Sequence, residues 1–171
     1  MRIWRLIGVG ILLLFSLNQA HALINNILIN NNILVNFQQL VQAVEHGNNV
    51  RAIIHFDRCI VTAPDSLDTH LERILSGATT RFNFTHYFHA HLKIDDRLID
   101  TVTTSMKLFI DHPSGKLLTV FGRLSVFEDN TATVHVDLMD PVAHTHLLVI
   151  DWLCTISNGQ DNNGLVLFDF F

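Results

Sequence analysis

Residues 81–94 read Arg-Phe-Asn-Phe-Thr-His-Tyr-Phe-His-Ala-His-Leu-Lys-Ile, with Phe82, Phe84, Phe88, Leu92 and Ile94 all on the same phase of a two-residue alternation. Successive side chains of a strand point to opposite faces. The spacing therefore predicts one long strand with these five residues on a core face and His89 and His91 on the other. Asp95-Asp96 then turns the chain. Five more strand segments follow, at about 98–111, 116–128, 131–139, 145–156 and 164–170, punctuated by Pro113-Ser114-Gly115, Glu128-Asp129-Asn130 and Ser157-Asn158-Gly159. Nothing after residue 81 sustains a helical period, which argues against βαβ units.

Upstream the period changes. Phe37, Leu40, Val41 and Val44 recur at three-to-four spacing, Asn36 stands where an N-cap belongs and Gly47 where a left-handed C-cap belongs, so a helix is expected over about 37–46. Val50 to Phe56 is β-branched and largely apolar, a strand leading to Cys59. Leu67, Leu71, Ile74 and Leu75 before Gly77 predict a short second helix. The expected fold class is α+β, an antiparallel β-sheet meander, flat or strongly curved, with an N-terminal amphipathic helix packed on one face.

The first 22 residues have the form of an export signal. Arg2 and Arg5 precede an apolar run from Leu6 to Leu17, and Ala20-His21-Ala22 is a small-x-small cleavage site, so the mature chain is expected to start at Leu23 in the periplasm or outside the cell. The run is too short for a stable anchor. Residues 23–36, rich in Asn with Leu, Ile and Val, read as a loosely docked leader, and 37–171 as a single domain. Cleavage removes Arg2 and Arg5 from the 11 Lys and Arg and none of the 16 Asp and Glu, so the formal charge moves from −5 to −7. Such a surface repels phosphate backbones, which disfavours nucleic acid as a partner. Ten of the 11 histidines lie in the mature part, so acid through about pH 6.5 should change how the protein associates.

Cys59 and Cys154 have one possible pairing, and in an oxidising compartment a disulfide is the default, with two buried free thiols as the alternative. No catalytic residue is assigned. Two His-x-His repeats are candidate metal ligands, His89 with His91 and His144 with His146, because two imidazoles on one strand face suit Zn²⁺ or Cu²⁺ and two paired strands would bring four together. The plainer reading places these histidines on a solvated sheet face, and the repeats lack a carboxylate or Cys at ligand spacing. Asp95, Asp96, Asp100, Asp111, Asp137, Asp140 and Asp151 are plentiful enough to supply acid pairs, yet stand mostly where Asp caps turns and keeps strand edges soluble. G-x-S-x-G, H-E-x-x-H, P-loop and G-x-G-x-x-G motifs are absent, and no cofactor is expected. Asn83-Phe84-Thr85 fits a glycosylation sequon, relevant only to a eukaryotic secretory pathway. The alternating strands ending in Phe171 also keep a small outer-membrane barrel in view, against which stand the helix, the cysteines and the shortage of Trp and Tyr for aromatic girdles.

The stretch from Phe37 to Cys59, FQQLVQAVEHGNNVRAIIHFDRC, carries a family likeness. Its helix with Leu40, Ala43 and Gly47, its Val50-Arg51-Ala52-Ile53-Ile54 and its Cys59 resemble the opening of the VirK family of bacterial virulence-associated exported proteins. Phe82-x-Phe84, the acidic turn at Asp95-Asp96 and Cys154 followed by Gly159 fit the same plan over about 36–160. The Asn-rich leader departs from it. The resemblance implies a periplasmic or secreted factor linked to host interaction and supports the disulfide; it transfers no catalytic residue. The leading expectation is a non-enzymatic, disulfide-linked protein that binds an unknown protein or envelope component through exposed edges and loops, and is not an integral membrane protein. Two alternatives stand beside it: a small apolar-ligand carrier with a cavity between sheet and helix, and a metal-dependent enzyme using the histidines.

Overall fold

The helix begins where Asn36 stops being helical: its side-chain oxygen accepts the Gln39 backbone N–H at 2.9 Å, and α1 runs Phe37–Glu45. Phe37, Leu40, Ala43 and Val44 form its buried stripe. Gly47, at φ +80°, donates to the Val44 carbonyl, and Asn48 donates to Ala43, so the last turn closes on a residue without a Cβ. The structure is a computed structural model that describes residues 33–63, 77–111, 115 and 117–170. The signal segment, most of the leader and the helix expected around Leu67–Leu75 lie outside the described residues. The end of the leader does not: Ile33–Leu34 is a short strand, β1, Leu34 is buried, and Asn36 caps the helix.

Nine further strands follow. They are β2 (Asn49–His55), β3 (Ile60–Ala63), β4 (Thr79–Asn83), β5 (Tyr87–Ile94), β6 (Arg97–Asp111), β7 (Leu117–Phe127), β8 (Thr131–Asp140), β9 (Thr145–Thr155) and β10 (Leu165–Phe170). They form two sheets where one was expected. One has the order β1-β10-β2-β4 and the other β3-β9-β8-β7-β6-β5. The meander from β5 to β9 is as the turns predicted; the smaller sheet gathers strands from both ends of the chain, a pairing that no local signal encodes. Among the described residues one nine-residue helix accompanies ten strands, so the molecule is mainly β. Both described sheets are open, whereas strands that cross a bilayer must close into a ring, and the barrel alternative is set aside on that ground.

Register lines show what lies between the sheets. Val102, Val126, Ala132 and Cys154 are paired in one row across β6 to β9, and Thr104, Leu124, Val134 and Trp152 in the next; all are buried. The smaller sheet presents Val50, Ala52, Ile54, Phe82, Leu165 and Leu167. The Phe82 ring reaches so near Gly122 of β7 that a Cβ there would lie 3.1 Å from it. Apolar side chains from both sheets thus pack into one core.

The connection from β2 to β3 carries the chain from the smaller sheet to the larger, and the disulfide fastens its end to β9. A single 3-10 turn, Phe56–Arg58, ends β2; Phe56 lies against Trp152 with ring centroids 4.4 Å apart, and Cys59 is bonded to Cys154, Cα atoms 4.6 Å apart. At the opposite end of α1, the Phe37 N–H donates to Asn130 Oδ1 at 2.8 Å, and the Asn130 carbonyl accepts from Ile156.

The long strand expected over 81–94 is two strands in different sheets. Phe82 and Phe84 are buried as the alternation predicts, but the chain turns at Phe84–His86, and just beyond it the expectation fails at Phe88 and His89, while Leu92 and Ile94 are half-buried and His91 exposed. Phe88 is 61% exposed, while His89, paired opposite Val102, faces inward.

Candidate functional site

The turn that breaks this strand also creates an opening. The Thr104 hydroxyl donates to the Asn83 and His86 carbonyls, 2.9 Å from each, and so fastens the last residue of β4 to the start of β5. β4 is the outermost strand of the smaller sheet, and β5 ends its pairing with β6 at Tyr87 opposite Thr104. Ser105–Asp111 of β6 therefore has β7 on one side and, among the described residues, no strand on the other.

Between these two strands lies a cleft of about 670 Å³. β4 lines it with Thr79, Thr80, Arg81 and Asn83, and β6 with Ser105, Met106 and Leu108. The lining has no carboxylate and carries the Arg81 guanidinium, in a chain whose formal charge is −5. With Thr85 and His86 of the turn, the lining combines hydroxyls, an amide, an imidazole and one cation with two apolar side chains. Among the described residues each bordering strand has an unpaired backbone edge, a ready template for the N–H and C=O groups of another extended chain. Sequence reading missed this site because it depends on where β5 stops, and the signal for that stop, Thr104, lies 18 residues downstream of His86.

The histidines are dispersed. His89 bridges α1 and the sheet: one ring nitrogen is 3.1 Å from Glu45 Oε1, the other 2.9 Å from Asp100 Oδ1, and Phe37 meets the ring edge-on. His91 is exposed further along β5. His144 sits in the turn before β9 with φ +54°. His146 on β9 lies 2.9 Å from Asp137, brought onto that face by a bulge at Leu138/Met139. Because β6, β7 and β8 separate β5 from β9, the strands expected to pair do not, and the four imidazoles do not converge. Among the described residues no group of three or more His, Cys, Asp or Glu is placed to hold a metal ion. A further pair absent from the sequence reading, His135 with Asp151 at 2.8 Å, stands on the same outer face as His146 and Asp137.

The loop from Ser157 to Asn163 is tied by one carboxylate. Asp161 accepts from the Asn158 N–H at 3.0 Å, the Ser157 hydroxyl at 2.7 Å and the Asn163 N–H at 3.0 Å, and these bonds hold its carboxyl below the usual carboxylate range. The Asn163 side chain donates to Ile156, just beyond β9, so the loop anchors the return into β10.

A family model described as VirK protein matches residues 33–144. Among solved structures, the crystal structure of a VirK family protein from Legionella pneumophila superposes with a TM-score of 0.57 at 18% identity, covering 80% of this chain and 98% of that one. No curated protein matches the chain.

Proposed function

The chain belongs to the VirK family, and from that premise we propose that it is an exported, non-enzymatic protein of the periplasm or extracellular space that captures an extended segment of a protein partner between β4 and β6. The observation that carries this reading is the cleft with, among the described residues, an unpaired strand edge on either side, in a scaffold whose β3–β9 pair is fastened by the Cys59–Cys154 bond. A disulfide suits an oxidising compartment. Among the described residues no helix is long and apolar enough to cross a membrane. Main-chain pairing would supply affinity, while Met106, Leu108 and Arg81 would select a segment with apolar side chains and a carboxylate.

The partner is unidentified, so the probe is a fluorescent, disordered peptide of alternating valine and threonine with one glutamate. Anisotropy should report binding to oxidised protein, with at least tenfold loss for Ser105→Trp, which fills the cleft from an exposed position, and a smaller loss for Arg81→Glu. Equal binding by wild type and Ser105→Trp, with both folded, would sink the reading. For export, the intact mass of protein recovered outside the cytoplasm should begin at Leu23; retention of residues 1–22 contradicts the signal segment.

A further inference from the structure

β6 ends in five consecutive exposed residues, Lys107-Leu108-Phe109-Ile110-Asp111. Leu108, Phe109 and Ile110 are 49%, 62% and 40% exposed, and the strand edge beside them is unpaired among the described residues. A long apolar edge of this kind is what folded proteins normally break up with a bulge, a proline or an inward charge. This run of β6 has no bulge or proline, its pairing with β7 continuing without a register shift from Thr101 to Asp111, and its two charges, Lys107 and Asp111, stand at its ends.

We infer that this edge pairs with the same edge of a second copy of the chain, antiparallel and centred on Phe109. The segment is its own complement in that register alone. Residues related by a two-fold axis through Phe109 are Lys107 with Asp111, Leu108 with Ile110, and Phe109 with itself. On one face each lysine meets the partner's aspartate across the strands, flanking two phenylalanines; on the other face only aliphatic side chains meet. Shifting the register by two residues in either direction leaves one of the charges opposite an apolar residue. Lys107 already leans toward the centre of the segment, its ammonium 5.4 Å from the Phe109 ring centroid. The opening is also of the right length. β5 blocks the edge up to Thr104, so a partner strand has the seven residues Ser105–Asp111 to occupy, and pairing about Phe109 uses the last five.

An isologous contact of this kind closes on itself and joins two six-stranded sheets into one continuous sheet, without open-ended growth. It uses the distal end of β6, whereas the cleft uses the proximal end, and Leu108 belongs to both; the inference does not depend on the peptide-binding reading. Five residues per chain bury less than the roughly 800 Å² per partner of a standard interface, so the dimer is weak and dissociates on dilution.

Sedimentation of the oxidised, exported chain over a concentration series up to millimolar tests the proposal. Wild type should move from one chain's mass toward two. Lys107→Glu and Asp111→Lys should each stay monomeric, since each places like charges opposite one another twice. An equimolar mixture of the two variants should dimerise again, because every cross-strand pair is then opposite in charge, and the double variant Lys107→Glu/Asp111→Lys should dimerise alone. Both substituted positions are exposed, and an unchanged Tm verifies that the variants are folded. A wild type that remains monomeric at millimolar concentration, single variants that still dimerise, or a mixture that fails to recover the dimer would each overturn the proposal. A dimer that survives Ser105→Trp while peptide binding is lost separates this contact from the cleft.

Discussion

The Sγ of Cys59 occupies the space in which a side chain on Gly164 would begin. The same glycine brings its carbonyl to the His55 N–H at 2.8 Å, so its backbone seals the end of β2 against the bridge. A Cβ would also lie 3.0 Å from the His55 carbonyl and 3.1 Å from that of Arg58, both rigid backbone atoms. Gly164→Ala should therefore cost about 1–3 kcal/mol through overpacking. Urea denaturation reads the loss, and alkylation under denaturing conditions should find an increased fraction of free thiol.

The bridge itself closes a loop with a sequence separation of 95. Chain entropy assigns such a closure about 4–5 kcal/mol. The double variant Cys59→Ser/Cys154→Ser should unfold at correspondingly lower urea. An unchanged midpoint would mean that the cross-link adds nothing to what the sheets already hold.

Two phenylalanines four positions apart should behave in opposite ways. Phe84 is 3% exposed and Phe88 61%, although a single strand would put them on one face. Phe84→Ala should cost about 3–5 kcal/mol and Phe88→Ala no more than about 0.5 kcal/mol. Similar costs for both would restore the unbroken strand and remove the turn at Phe84–His86.

Asn130 joins the β7–β8 turn to the start of α1, and its φ of +67° is one that Gly also adopts without strain. Asn130→Gly keeps the turn and loses only the acceptor for the Phe37 N–H, at about 1 kcal/mol. Asn130→Ala adds backbone strain and should cost about a further 1 kcal/mol. Thermal denaturation of the pair separates the two contributions.

Hydrogen bonds from the Asn158 N–H and the Ser157 hydroxyl lower the Asp161 carboxyl's pKa in the fold. The sign follows from linkage: the group favours the folded loop at pH above its unfolded value and loses that contribution as pH falls through the lower folded one. Amide exchange of residues 158–163 should therefore quicken on acidification below about pH 4, beyond the intrinsic change, and Asp161→Asn should abolish that dependence.

Local chemistry made much of the fold legible. Asn36 and Gly47 marked the helix by what their side chain, or its absence, does for unpaired backbone groups. Asp95-Asp96 and Asn130 marked turns because they tolerate the positive φ that those turns adopt. The break after Phe84 was not legible, since Thr85 and His86 are ordinary strand residues and the hydroxyl that bonds across the bend, that of Thr104, comes from another strand. The face of His146 was hidden likewise, because a bulge alters the alternation without leaving a glycine or proline to announce it. The cleft, which depends on how far one neighbouring strand extends, was beyond any local reading.

The Cys59–Cys154 bond also changes what kind of object the chain is. Before it forms, the polypeptide is a line that a narrow pore can draw through end first. Afterwards the stretch from β3 to β9 is a closed ring with two tails, and pulling on either tail delivers a doubled loop to the pore. A translocase or unfoldase that accommodates one extended strand can pass this protein only while its cysteines are reduced. Any pore it crosses unfolded after oxidation must be wide enough for that doubled loop.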